Sequence, residues 1–408
     1  MTKMTNVTRT ATRNMTPVGS AVTVSVREKI LSAMKSLSAA FIERDEEIEL
    51  LMIGLVSREN VLFIGSPGVA KSAIQEGVQS FIDGPTFATL MHRSTSVDEL
   101  MGQLSLKAYL DLDVWKRNIV GRLPNAITGV LDEIFKSSPV CLSPLLKILN
   151  ERVYEIEGRW HRSPLACVMA ASNEWPADND TSGIDNSALF DRFLIRKEVD
   201  AIATDKGIDR LLDVVFDDEP ARTRAPIGKP EFAHKITPEE LLQAHNEARA
   251  VTWTRPAYAT FKQIFTELKA EGVVVSDRRK KKAEGVVQAA AWLAGSPVVH
   301  ADHLAPLAYV LWDDHHEQPK KCAKIVAKHA NPARIAVKQH RKEVDRLFES
   351  VDVRNIVSVQ ETCEKLDEIM VKLDNLKRVD MTADLVNEIE GRMSILRAKS
   401  LMPRRRPS

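Results

Sequence analysis

The chain has 408 residues, of which 44% are hydrophobic and 28% are charged, and its formal net charge is +1. This balance excludes a strong overall field that would recruit nucleic acid or an anionic membrane, and no run approaches the roughly 20 apolar residues of a membrane span. Four widely separated cysteines without a C-x-x-C pair argue against a zinc site or a disulfide framework and indicate a reducing, cytoplasmic location. The length predicts two or three domains.

The N-terminal segment predicts a tail followed by helices. The first twenty residues are rich in Thr and basic residues but contain no acid and no apolar run. They lack the apolar core of a secretory signal and the amphipathic period of a transit peptide. Residues 1–23 are therefore expected to form a disordered tail. From Ser25 to Glu59, apolar residues recur at helical spacing and predict one or two helices.

Strand and helix patterns then alternate up to about residue 199. Strands are expected at 61–65, 86–91, 127–132, 165–172 and 193–199, helices at 72–82 and 139–151, and a small helix with a hairpin within 94–125. This alternation predicts an α/β fold, a doubly wound parallel sheet with helices on both faces. Ligands of such sheets bind beyond the carboxyl ends of the strands.

A glycine-bearing loop follows the first strand and ends at the start of its helix. It consists of Gly65, Ser66, Pro67, Gly68, Val69, Ala70, Lys71 and Ser72. Its backbone N–H groups and the helix dipole favour phosphates, Lys71 can neutralise their oxygens, and Ser72 can ligate Mg²⁺. The pattern G-x-x-x-x-G-K-[ST] is met except at Ala70, which replaces the second glycine. We expect Ala70 to have right-handed helical dihedrals, as the first turn of a helix would require.

Polar side chains also follow two other predicted strands. Asp132 and Glu133 end the strand at 127–132, and Asn173 ends the apolar run at 165–172. One carboxylate can serve the shell of a metal ion and the other can act on water. Asn173 could instead be a strand-end turn former. Because these strand ends and the loop meet at one edge of a parallel sheet, the sequence predicts a site for ATP and Mg²⁺.

The remaining chain reads as helical. Helices are expected at 238–250, 256–270, 277–294 and 302–316, and further charged helices with apolar residues near heptad spacing continue to about residue 400. The latter predict a helical hairpin or bundle, which could dock a neighbour or be a packed appendage. The resulting division is a tail (1–23), a nucleotide-binding α/β domain (24–203), a helical lid domain (204–318), a C-terminal helical extension (319–402) and a basic tail (403–408).

The order of these motifs resembles that of the AAA+ ATPases over roughly residues 25–316. That family has, in this order, a Walker A loop (Lys71-Ser72), Walker B acids (Asp132-Glu133), a sensor-1 residue (Asn173), an arginine finger (Arg192) and a sensor-2 arginine (Arg278). The amino-acid sequences of the motifs are similar to those of the MoxR branch, and closest to those of its RavA subgroup, at 65–72, 131–136, 149–152, 170–174, 189–193 and 275–279.

The resemblance implies roles for these residues. Glu133 would polarise the attacking water, Asn173 would orient it, and Asp132 would lie in the outer shell of the metal. Arg192 would act in trans on the ATP of the next subunit, which implies a ring, expected to be a hexamer. Arg278 would reach the γ-phosphate from the helical lid.

Both arginines have plainer interpretations from the residues alone. Arg192 could form a surface ion pair with Asp191 or Glu198, and Arg196 is the next candidate for the finger. Arg278 begins the basic run 278–282, which could be only a solvated helix face.

The resemblance implies a Mg²⁺-dependent ATPase that remodels or matures a protein client in the manner of a chaperone, with a von Willebrand factor A-domain protein as an expected partner. The alternative is a nucleic-acid motor, for which the 104–123 segment offers basic and aromatic residues alongside Asp111 and Asp113. A poorly hydrolysing scaffold is disfavoured because all the hydrolytic groups are present.

Overall fold

A computed structural model of the protein describes residues 24–176, 186–212, 228–330, 356–374 and 380–400, with short pieces between 340 and 351. The predicted tails, 1–23 and 403–408, lie outside these residues. Across the described segments, every helix is too short or too polar to cross a membrane.

Fourteen helices are described, numbered in chain order. They are α1 (Val26–Ala40), α2 (Asp45–Ser57), α3 (Lys71–Ser80), α4 (Val97–Met101), α5 (Leu106–Leu112), α6 (Pro139–Glu151), α7 (Asn186–Asp191), α8 (Asp205–Leu212), α9 (Pro238–Ala250), α10 (Arg255–Ala270), α11 (Asp277–Leu293), α12 (Gln318–Ala330), α13 (Ile356–Asp374) and α14 (Asp380–Ser400). Short 3₁₀ segments occupy Leu123–Asn125, Ile134–Lys136 and Ala301–Tyr309.

The described strands are β1 (Val61–Ile64), β2 (Thr86–Leu90), β3 (Gln103–Leu104), β4 (Arg117–Asn118), β5 (Thr128–Asp132), β6 (Val153–Ile156), β7 (Arg159–Arg162), β8 (Cys167–Ser172), β9 (Ile195–Glu198), β10 (Thr252–Trp253) and β11 (Val298–Val299). Five of them form the central sheet in the order β2-β5-β8-β1-β9, and all neighbours in it are parallel. All residues of β1 and β8 are buried, as expected for strands covered on both faces. The predicted α/β class is confirmed.

The helices that follow the central sheet pack against α2, a helix that precedes the sheet in the chain. Helix α11 contacts α2 and α9, and α12 packs on the 3₁₀ segment Ala301–Tyr309 and on α10. Helices α13 and α14 pair with each other around a separate apolar core. Val359, Cys363, Leu366 and Leu373 of α13 are buried as the heptad spacing predicts, but Ile369 is buried in place of its neighbour Met370, which is only partly buried. The domain limits predicted from sequence stay predictions.

Two local predictions need correction, and one hairpin lies outside the predicted elements. The 302–316 helix is instead a 3₁₀ segment that ends at Tyr309, because Pro306 inside it cannot donate a helical hydrogen bond. The 94–125 segment holds two short helices, α4 and α5, and β3 and β4 pair over only two residues each. The β6–β7 hairpin was not predicted; its turn, Glu157-Gly158, has φ of 53° and 71° at successive residues, as a tight hairpin turn requires.

Candidate functional site

The glycine-bearing loop at residues 65–72, called the phosphate loop below, packs closely against the end of β9. A Cβ atom on Gly65 would lie 2.3 Å from the carbonyl oxygen of Val199, so this approach requires glycine. Gly68 has a φ of +85°, a conformation that glycine adopts without strain. These two glycines turn the chain from β1 into α3, so that the first N–H groups of α3 face the loop.

The backbone conformation of Ala70 differs from the predicted one. It caps α3 in the left-handed region, with φ 66° and ψ 19°, rather than in the right-handed helical region. Such a conformation costs an alanine roughly 1–2 kcal/mol because Cβ approaches the following carbonyl oxygen. The loop therefore demands here the conformation that glycine provides in the general pattern, and Ala70 adopts it at a cost.

Lys71 is buried and lies inside the loop. Its Nζ donates to the carbonyl oxygens of Gly65 (2.6 Å) and Ser66 (2.9 Å) and to Oδ1 of Asn173 (2.8 Å). Burial lowers the pKa of the Lys71 ammonium, while the charges of Asp132 and Glu133 act to raise it. Among the described residues, no carboxylate lies within ion-pair distance of Nζ. A buried cation held by neutral oxygens is suited to a negatively charged ligand such as phosphate.

The two acids connect the loop to the neighbouring strands. Ser72 Oγ donates to Oδ2 of Asp132 (2.7 Å), and Oδ1 of Asp132 accepts from the N–H of Glu133 (2.9 Å). The side-chain amide of Asn173 donates to the Glu133 carboxylate, and Lys136 Nζ lies 3.4 Å from the same carboxylate. A hydroxyl beside a carboxylate is a donor set that fits Mg²⁺, and the contacts with Asn173 and Lys136 hold the Glu133 carboxylate in place beside it.

Two features of this edge escaped the sequence analysis. Arg44 is buried and donates to the carbonyl oxygens of Val69 (3.3 Å) and Asp200 (2.8 Å), which ties the loop to the segment after β9. Beside the loop lies a cleft of about 250 Å³. Its apolar walls include Phe41, Ile42, Ile202, Ile208 and Leu211. Such walls suit the flat face of a nucleobase, and no motif in the sequence marks either feature.

Arg192 lies at the edge of the sheet formed by the amino ends of the strands, opposite the edge that carries the loop. Its carbonyl oxygen accepts from Nδ2 of Asn60 (2.9 Å), and Asn60 immediately precedes β1. Lys71 follows the opposite end of β1, and four residues of strand span about 13 Å. The Arg192 guanidinium pairs with the Asp191 carboxylate at 2.9 Å, so the ion pair of the plainer interpretation is present.

The other two arginines also lie away from the loop. Arg278, in the first turn of α11, donates to Oδ1 of Asn150 near the C-terminal end of α6, so it lies beside Arg192 and not beside Lys71 of its own chain. The expectation that the lid brings Arg278 to the γ-phosphate therefore needs correction within one protomer. Arg196 is 1% exposed and donates to the carbonyl oxygens of residues 190, 193 and 312. It is a buried structural side chain and is withdrawn as a finger candidate.

Comparison with known proteins agrees with this geometry. Residues 28–233, half of the chain, match the model of the MoxR domain in the MoxR-vWA-beta-propeller ternary systems, and residues 258–326 match the AAA lid domain. This chain belongs to the MoxR family of AAA+ ATPases. A role in nucleotide binding with a divalent metal follows from that membership.

Relatives of this MoxR protein cover most of its length. The uncharacterized protein MJ0812 of Methanocaldococcus jannaschii is 30% identical over 375 residues, 88% of this chain and 95% of that protein. Structural protein ORF618 of Acidianus two-tailed virus is 23% identical over 303 residues, 68% of this chain and 48% of that protein. The crystal structure of an inferred ATPase from Cytophaga hutchinsonii shares the fold, with a TM-score of 0.56, 15% identity, and coverage of 75% of this chain and 95% of that one.

Proposed function

We propose that this MoxR protein hydrolyses ATP in a ring of identical subunits, a hexamer, and uses the energy to remodel a protein client. The observation that carries the ring is the division of the site. The loop and acids lie at the carboxyl edge of the sheet, whereas Arg192 and Arg278 lie at the amino edge. A protomer cannot bring these arginines to its own ATP, but an adjoining protomer can present them to it.

Within one protomer, the carboxyl edge would bind the nucleotide and activate water. The loop N–H groups and Lys71 would hold the phosphates, and the apolar cleft beside the loop would take the base. Ser72 and Asp132 would hold Mg²⁺, which supplies positive charge at the phosphate oxygens. Glu133 would accept the proton of the attacking water as general base. Asn173, which already contacts both Lys71 and Glu133, would orient that water.

The adjoining protomer would complete the site with positive charge. Arg192 would stabilise the charge that develops on the transferred phosphoryl group, and such a finger can be worth about 10³–10⁵ in rate. Arg278, on the same edge, would reach the same nucleotide from the lid helix α11. Its role as a sensor of the γ-phosphate is then also exerted in trans.

The partner proposals rest on the family. The matching MoxR model is named for systems that contain a von Willebrand factor A-domain protein and a β-propeller, and we propose a von Willebrand factor A-domain protein as a partner of this chain. The proposed likeness to the RavA subgroup and the proposed chaperone activity rest on the amino-acid sequences of the motifs. We place the protein in the cytoplasm; its cysteines are all free and buried, which is compatible with a reducing compartment.

The nucleic-acid motor has less support. The Tyr109 ring stacks on Trp115 at 4.2 Å, and Arg117 pairs with Asp98 at 2.6 Å. These aromatic and basic groups are therefore already engaged within the segment that would meet the nucleic acid.

The variant Glu133→Gln tests the catalytic proposal. The amide keeps the size of the side chain but cannot accept the proton, so we expect ATP to bind with unchanged affinity and turnover to fall at least about 100-fold, the range of a general base. Binding is measured with a fluorescent ATP analogue and turnover by phosphate release. The ATP-locked variant is also the bait for client and partner.

Glu151→Gln is the matched control, because Glu151 is an exposed acid whose ion-pair partner among the described residues is Lys147 on its own helix. It is expected to turn over ATP at the parent rate. Parent-rate turnover by Glu133→Gln would remove Glu133 as the base.

A further inference from the structure

The Asp191 carboxylate contacts two arginines closely and lies 4.0 Å from a third, the buried Arg196. Its Oδ2 lies 2.9 Å from Nη1 of Arg192, and its Oδ1 lies 3.0 Å from Nη2 of Arg279. The first is the proposed finger at the end of α7. The second is in the first turn of the lid helix α11, directly after Arg278. One side chain therefore joins the finger to the lid.

Arg279 is a fixed partner. Its side chain is only 3% exposed. Its Nη1 donates to the carbonyl oxygens of Val310 (2.9 Å) and Leu194 (3.4 Å), and its Nη2 pairs with Asp313 at 2.8 Å. A guanidinium held on three sides keeps one carboxylate oxygen of Asp191 in place. The other oxygen is thereby aimed at Arg192.

We propose that Asp191 is a positioning residue that sets the direction of the Arg192 finger and couples it to the lid helix. This inference rests on the proposed function, in which Arg192 serves the ATP of the adjoining protomer. Because Arg278 and Arg279 share the first turn of α11, a movement of the lid shifts Arg278 directly and Arg192 through Asp191. Both arginines then reach or leave the neighbouring nucleotide together.

The variant Asp191→Asn tests the proposal, because it keeps the shape of the side chain and removes the charge that attracts both arginines. We expect ATP binding to stay at the parent level. Turnover should fall about 10- to 100-fold, the loss that a displaced catalytic group produces. Asp98→Asn is the matched control: Asp98 pairs with Arg117 at 2.6 Å, its side chain is as exposed (49%) as that of Asp191, and it belongs to neither the finger nor the lid, so its turnover should stay within about twofold of the parent.

Mixing separates a finger defect from general damage. Lys71→Ala protomers bind no ATP but carry intact fingers, so adding them to Asp191→Asn protomers should restore turnover. Adding Arg192→Ala protomers should restore none, because both partners then lack a working finger. A mixture of Arg192→Ala with Lys71→Ala, run in parallel, reports on the proposed function itself.

Three results would overturn the inference while the parallel mixture succeeds. They are Asp191→Asn turnover at or above the parent rate, no recovery with Lys71→Ala protomers, or an equal loss in Asp98→Asn. A parallel mixture that recovers nothing would instead overturn the trans arginine, and the inference with it.

Discussion

The left-handed alanine in the phosphate loop stores conformational strain. Ala70 has φ 66°, and glycine would occupy this region without cost. The variant Ala70→Gly should therefore be more stable by about 0.5–1 kcal/mol, since relief of the left-handed strain exceeds the extra chain entropy that glycine loses on folding. Urea unfolding followed by tryptophan fluorescence measures the change.

Ala259→Gly provides the control for this substitution. Ala259 is exposed and lies in the interior of α10, beyond its first turn. Glycine there should lower the stability by about 1 kcal/mol. Equal destabilisation by both substitutions would show that the left-handed conformation of Ala70 carries no strain.

The residues predicted from sequence were those marked by strand ends. Lys71, Asp132 and Asn173 each follow a strand of the parallel sheet, so topology alone predicts that they meet, and they do lie together. The backbone conformation of Ala70 and the role of Arg44 could not be predicted from the sequence, because both depend on tertiary contacts. The path of the loop imposes the Ala70 dihedrals. The Arg44 guanidinium is held by hydrogen bonds to two carbonyl oxygens far along the chain.

At the scale of elements, α2 packs so closely on β1 that one helical position must be glycine. A Cβ atom on Gly54 would lie 2.3 Å from Cγ2 of Val61 and 3.1 Å from the carbonyl oxygen of Glu59. Gly54→Ala should therefore destabilise the protein by about 1–3 kcal/mol through overpacking, although alanine is the better helix former. Thermal unfolding measures the difference.

Gly391 in α14 is the opposite case. Apart from its own stretch of helix, no described residue has a heavy atom within 4 Å of the position that a Cβ would take there. Gly391→Ala should raise the stability by up to about 1 kcal/mol through helix propensity alone. If both alanine variants shift the midpoint in the same direction, packing at Gly54 is not what decides its effect.

Long, periodic elements were predicted closely and short ones were not. The limits of α6 and α9 agree with the expected 139–151 and 238–250. The β6–β7 hairpin was missed because its outer strand is exposed throughout and shows no apolar alternation. Its turn is formed by Glu157 in a left-handed conformation, which sequence patterns do not signal.

At the scale of the whole molecule, the two edges of the central sheet carry the two groups of residues that the proposed ring would bring together in one site. The carboxyl edge has the loop, the acids and Asn173, and the amino edge has Arg192 and Arg278 next to the lid. A parallel sheet keeps these two groups apart by the length of β1 in every protomer. In the proposed ring, hydrolysis would therefore be a property of the interface between protomers, which topology predicts only when the position of α11 is known.

Mixing two inactive variants tests this account most directly. Arg192→Ala protomers keep the loop and acids, and Lys71→Ala protomers keep the arginines, so each variant alone should hydrolyse ATP at least about 1,000-fold more slowly than the parent. Phosphate release is measured across mixing ratios at constant total protein. Phosphate release should be greatest near equal proportions, because interfaces that join an intact loop to an intact finger are most frequent there. Turnover that stays at the level of the separate variants at every ratio would contradict this account.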